Sequence, residues 1–210
     1  MGVRQHMMRM VIKRLAPAVL LSVACLGPAF AATEPQQVIE RLNAALLEVM
    51  RHAADLGYEG RYEQLEPVLK ESYDFPFMIR IAVGPAWREL EEDQRRRVTE
   101  LFTEMSIANY AARFDRHDGT RFEILGEEPA PRDTVLVHSR IVLSDDEPVE
   151  LSYLLKKFDG DWRIIDVLLD ARFSELARQR AEFAAVLRHG GVPDLVATLE
   201  RKIAQLTAES

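Results

Sequence analysis

An α+β fold, with a four-stranded antiparallel sheet packed against helices from both ends of the chain, follows from three observations on the sequence. Apolar residues recur at helical spacing as far as about residue 115, alternate with period two from Arg121 to Leu169, and return to helical spacing from Phe173. Asp159-Gly160 separates two of the alternating runs, a strong signal for a tight type I′ hairpin. A meander of this kind has one apolar face, which helices must cover.

The first 31 residues read as a secretory signal. Arg4, Arg9, Lys13 and Arg14 form a basic segment, Leu15 to Pro28 form an apolar one, and Ala29-Phe30-Ala31 supplies an A-x-A cleavage site. The apolar segment falls short of the roughly 20 residues that a membrane span needs. A lipoprotein reading through Leu21-Ser22-Val23-Ala24-Cys25 puts Ser22 where Leu is preferred and leaves the A-x-A site idle. With the leader removed, 210 less 31 leaves 179 residues, enough for one domain, taken as residues 32–210. Its charge is 27 less 4 basic against 34 acidic residues, net −11, which disfavours nucleic acid and anionic surfaces. The single Cys leaves with the leader, so no disulfide or thiolate site is expected in the exported chain.

Each element has its own justification. Thr33 and Gln36 suit a capping box, and Val38, Leu42, Ala45, Leu46, Val49, Ala53 and Leu56 predict an amphipathic helix over 34–56. A shorter helix fits Tyr62 to Ser72. Asp74 can cap the next, which Gly84-Pro85 ends. That segment, YDFPFMIRIAV, is apolar nearly all round, so something apolar must cover it on more than one side. Residues 91–115 make the longest helix, and its second half, SIANYAARF, is again apolar on several faces. Strands are expected at Phe122 to Leu125, Thr134 to Leu143, Pro148 to Phe158 and Asp161 to Leu169, with turns at Glu127-Glu128-Pro129, at residues 144–147 and at Asp159-Gly160. Helices over Phe173 to Arg188 and, after Gly190-Gly191, over Pro193 to Leu206 close the chain.

Catalytic patterns are sparse. His52, His117, His138 and His189 lie in different elements, with no spacing that puts two on one helical face for a metal. No G-x-S-x-G or glycine-rich phosphate loop occurs. The acidic clusters suit solvated turns and a helix start, and Arg95-Arg96-Arg97 reads as a salt-bridged face. One set could serve a cone-shaped small-molecule enzyme: Tyr153, His138 and Asp166 on neighbouring strands, as general acid and base groups. Alternation does not by itself put the three on one face.

The blocks YDFPFMIRIAVGPAW, ELFTEMSIANYAARF, WRIIDVLLD and SELARQRAEFAAVL, in this order and spacing, resemble the MlaC family, also known as toluene-tolerance auxiliary proteins. The likeness covers about Thr33 to Leu206, and SELARQRAEFAAVLRHGG is similar to the hopanoid-associated HpnM branch. After the last strand this chain has Asp170-Ala171-Arg172-Phe173-Ser174, with Ala where relatives commonly have Gly. The resemblance implies an NTF2/cystatin-like sheet with a lipid cavity between sheet and helices, in a periplasmic carrier that acts as a monomer. Its implied ligand is a phospholipid or a hopanoid-type lipid. Its implied partners are an inner-membrane ABC transporter complex with an MCE-domain protein, or an RND-type exporter in the hopanoid branch, and an outer-membrane lipoprotein complex. No cofactor and no metal are implied.

Physical reasoning agrees. Each methylene exposed to water costs about 0.8 kcal/mol, so an acyl chain of about 15 methylenes carries a gross penalty of about 12 kcal/mol and must be covered in transit. An apolar cavity with few polar groups meets that need. The candidate lining residues are Phe75, Met78, Ile81, Tyr110 and Phe114 from the helices, and Val135, Val137, Leu151, Tyr153 and Leu155 from the sheet.

Overall fold

The computed structural model describes residues 34–144 and 147–208, so the leader, its cleavage site, Thr33 and the Asp145-Asp146 part of one turn lie outside it. Helix α1 (Glu34–Arg51) lays Val38, Ile39, Leu42, Leu46 and Val49 into the core. Its start is tied to the sheet: the Glu34 carboxylate accepts from Lys157 Nζ at 3.1 Å and Trp162 Nε1 at 3.2 Å. The helix stops at Arg51 rather than continuing to residue 56. The interruption is at His52, whose backbone (φ −108°, ψ 12°) departs from the helix although the apolar spacing runs on through Ala53 and Leu56, and the chain breaks again at Gly57, whose φ of 58° belongs to the left-handed region that favours glycine. Helix α2 (Ala53–Ser72) is broken there and absorbs the expected helix over Tyr62 to Ser72.

Helix α3 (Phe75–Val83) has the expected cap, with Asp74 accepting the Phe77 N–H at 2.8 Å, and it ends at Gly84 in a 3₁₀ turn, Gly84–Arg88. Protein covers it on several sides. Phe75, Met78, Ile79, Ala82 and Val83 are buried, while Phe77 packs on Phe158 with ring centroids 5.4 Å apart. Helix α4 (Glu92–Arg113) opens with a capping box between Glu91 and Gln94. In its second half Ile107, Ala108 and Ala111 are buried together, as its all-round apolar character required.

The sheet is an antiparallel meander in the order β1 (Arg121–Ala130), β2 (Thr134–Val142), β3 (Val149–Phe158), β4 (Asp161–Leu169), β5 (Phe173–Ser174). It has five strands rather than four. Strand β1 runs beyond Leu125, where a register shift between Ile124 and Gly126 inserts a bulge, and Glu127, Glu128 and Pro129 then pair with Val137, Leu136 and Val135. Glu-Glu-Pro is therefore strand, not turn. As an edge strand, β1 leaves one side of its backbone unpaired, so charges and a proline are tolerated. The turn falls instead at Pro131-Arg132-Asp133, with Arg132 and Asp133 at φ of 66° and 57°. The Asp159-Gly160 hairpin forms as expected, and β5 pairs back on β4 through Leu169↔Phe173 and Leu168↔Ser174. Helix α5 (Glu175–Ala208) starts two residues later than expected because Phe173 and Ser174 are in β5, and it breaks at Gly191. The core joins these layers: Val137, Tyr153, Leu155 and Ile164 of the sheet meet α1, α3, α4 and Phe183 of α5.

Candidate functional site

Cross-strand pairing arranges the inner sheet face in rows. Val135 pairs with Leu155 and Val137 with Tyr153; next comes Ile124 with Ser139 and Leu151, and then Phe122 with Ile141 and Val149. From the row of Val137 and Tyr153 outward, the apolar side chains become more exposed. Val137 and Tyr153 are 0% and 1% exposed, Phe122, Ile124 and Leu151 are half-buried, and Val149 is 38% exposed. The apolar face therefore continues past the helices that cover its other end.

A run of aromatic rings follows the same gradient on the helical side. Phe102 meets Phe75 edge-on at 6.3 Å, Phe75 stacks on Tyr73 at 5.3 Å, and the Tyr73 and Tyr110 hydroxyls share a hydrogen bond. Tyr110 then stacks on Phe114 at 5.6 Å, and Phe114 meets Phe122 of the edge strand at 6.2 Å. Edge-on and stacked contacts at such distances are the favoured aromatic geometries. The run leads from the closed core to the partly open end of the sheet.

The phenols in this interior stay neutral. Burial raises Tyr73 and Tyr153 well above the usual phenol value, helped by the neighbouring Tyr110, and raises Tyr110 to about 12. Apolar contact and neutral hydroxyls are what the surface offers a ligand.

The lining candidates fall into two groups. Phe75, Met78, Val137, Tyr153 and Leu155 are buried among other side chains, whereas Ile81, Tyr110, Phe114, Val135 and Leu151 are half-buried around them. The buried five belong to one apolar cluster that joins the sheet to the helices. Open grooves of about 470 Å³ along α5, beside Val186 and Asp194, and of about 240 Å³ between Tyr62 and Ile203 lie elsewhere. Phe122, Ile124, Ser139 and Tyr73 also belong to this region, and sequence reasoning passed over them. The missing information was the pairing of β1 with β2, which alone shows that Phe122 and Ile124 lie beside Ser139 and Leu151.

The alternative catalytic set does not assemble. Tyr153 pairs with Val137, and His138 with Ser152, so alternation sends Tyr153 inward and His138 outward. His138 meets Ser152 Oγ at 3.0 Å and Glu128 at 3.4 Å. Asp166 pairs with Leu154, next to Tyr153 and so on the outer face, and accepts from Ser174 Oγ at 2.5 Å and from the N–H groups of Leu176 and Val167 at 3.0 and 2.8 Å. Ser174 Oγ in turn accepts the Ala177 N–H at 2.9 Å, so Asp166 and Ser174 together cap α5. Burial raises the Asp166 pKa, and these hydrogen bonds oppose the rise. Among the described residues no group of three His, Cys, Asp or Glu is placed to hold a metal, and no helix is long and apolar enough to cross a membrane.

Comparison with known proteins places this geometry. No curated protein sequence matches the chain. Among solved structures, the phospholipid-binding protein from Ralstonia solanacearum, determined in complex with a phospholipid, is 22% identical and superposes with a TM-score of 0.73 over 83% of this chain and 99% of that one. That likeness shows a shared fold. The sequence model of the family described as "MlaC protein" matches residues 40–201, most of the sequence, and the chain belongs to the MlaC family.

Proposed function

We propose that this protein is a periplasmic carrier of diacyl phospholipid, which it binds by its acyl chains and transfers between the inner and outer membranes. The observation that carries this reading is the run of apolar side chains on the inner sheet face, from the buried pair Val137 and Tyr153 out to the half-buried Phe122 and Leu151 and the exposed Val149. A filled core has no need of such a continuation, whereas acyl chains threaded between sheet and helices would rest on it. Family membership and the phospholipid held by the Ralstonia protein support the same reading.

In this reading the closed interior opens along the aromatic run. Phe114, with Tyr110 stacked on it, moves off Phe122, and the chains settle first on Ile81, Val135 and Leu151 and then on Phe75, Met78, Val137, Tyr153 and Leu155. Burial of about 0.8 kcal/mol per methylene offsets the packing lost on opening. The protein needs no cofactor for this. Export follows from the signal at residues 1–31, and direction is supplied by docking to an inner-membrane ABC/MCE complex or an RND-type exporter and to an outer-membrane lipoprotein complex.

Mass spectrometry of an organic extract of the purified protein tests the proposal. Co-purifying phospholipid near one per chain is the expected result, and a hopanoid in its place would reassign the cargo. Protein that is always empty and takes up no labelled phospholipid from vesicles overturns it.

A further inference from the structure

Strand β2 is apolar at every position that it turns to the inner sheet face except one. Strand β2 presents Val135, Val137 and Ile141 there, and between the last two stands Ser139. Ser139 pairs with Ile124 on one side and Leu151 on the other, both half-buried and apolar. It is only 2% exposed, and its hydroxyl finds no hydrogen-bond partner among the described residues. Buried polar groups are nearly always paired, and an unpaired one is a standing cost that calls for an explanation. A serine hydroxyl commonly bonds a nearby backbone group, but this one does not.

Its position supplies the explanation. Ser139 lies one row inside the mouth formed by Phe122, Ile141 and Val149, and successive rows are about 7 Å apart along a strand. Inward of it are the fully buried Val137 and Tyr153. A diacyl lipid seated with its chains inward and its head group at the solvent carries its ester groups at such a boundary. We infer that the Ser139 hydroxyl donates a hydrogen bond to an acyl-ester carbonyl of the bound lipid. An ester carbonyl is a pure acceptor, so one donor satisfies it. A polyol head group would bring donors of its own, and Ile124, Ile141 and Leu151 offer no acceptor side chain. Ser139 is thus the residue by which the site tells an ester-linked lipid from an all-hydrocarbon or ether-linked one.

This inference rests on the carrier reading above, and the test separates the two. Uptake is measured for dipalmitoyl phosphatidylethanolamine and for its dihexadecyl diether analogue, which has the same head group and chain length but no carbonyl. The wild-type protein is expected to take the diester about 2- to 10-fold more tightly, the range one hydrogen bond supports. Ser139→Ala should bind both lipids at the diether level while its empty form melts no lower than wild type, because the lost hydroxyl was unpaired. Ser139→Thr, which keeps a hydroxyl, should retain the preference. Equal uptake of the two lipids by the wild type, or a preference that survives in Ser139→Ala, overturns the inference and leaves the carrier reading standing. Uptake of neither lipid overturns both.

Discussion

The hydroxyls of Tyr73 and Tyr110 meet in a hydrogen bond that joins the end of α2 to the last turn of α4, at the middle of the aromatic run. Tyr73 is buried and Tyr110 half-buried. Tyr110→Phe strands the Tyr73 hydroxyl without a partner and should cost about 1–3 kcal/mol, whereas the double replacement of both tyrosines by Phe should be close to neutral. Urea denaturation of the two single variants and the double variant gives the coupling directly. Additive losses would show that the two hydroxyls do not depend on each other.

A second expectation concerns the cap of α5. Removing the Asp166 carboxylate leaves the Leu176 N–H without its acceptor, so Asp166→Ala should lose about 1–2 kcal/mol. The pH dependence runs against the usual behaviour of a carboxylate. Burial raises the pKa of Asp166, so the folded state holds the proton more tightly than the unfolded chain does. Its contribution to stability therefore falls as pH rises from the ordinary aspartate value through the folded one. Lys157 and Trp162 lower the pKa of Glu34, and Arg140 and Arg121 that of Glu123; both contribute in the opposite sense, losing stability as pH falls. The difference between wild type and Asp166→Asn, followed by denaturation across the acid range, isolates the Asp166 slope.

The turn between β4 and β5 carries Asp170 and Ala171 at φ of 50° and 52°. Ala in the left-handed region costs about 1–2 kcal/mol, partly offset by the smaller entropy it loses on folding. Ala171→Gly should therefore stabilise the protein by about 0.5–1 kcal/mol, read as a shift of the urea midpoint at unchanged slope.

Size at the inner face separates a carrier from a filled core. Val137 has no exposed surface, so Val137→Trp should lower stability by about 1–3 kcal/mol. Leu151 is half-buried at the next row, and Leu151→Trp should leave the melting temperature within a few degrees of wild type while it blocks lipid uptake. Normal loading by a folded Leu151→Trp protein would remove that row from the binding surface.

Most of the fold was legible because local signals and long-range packing agree. Asp159-Gly160 makes its hairpin wherever the strands go, and Asp74 caps α3 through an atom three residues away. Local signals misled where tertiary position decides. Glu127-Glu128-Pro129 looks like a turn, and only its place on a sheet edge makes it strand. Phe173–Ser174 is too short to show a period, and it exists because the turn at Asp170 and Ala171 folds it back on β4. The interruption at His52 was obscured by apolar residues that keep helical spacing beyond it, whereas Gly57 marked the second break, inside α2. The faces of β2 and β3 follow from alternation alone, which puts Val137 and Tyr153 together. Ser139 was visible as the one polar residue at an inward position of β2. Its meaning needed the pairing with Ile124 and Leu151, which no single strand contains.

The bulge at Leu125 decides which residues the free edge of the sheet presents. A protein with an uncovered greasy sheet end invites a second copy to add a strand to its nearest free edge, and that edge is β1. Past the bulge the edge presents Glu127, Glu128 and Pro129, two carboxylates that repel their like and a residue with no N–H to offer. Replacing that triplet with β-formers should increase self-association, read by light scattering.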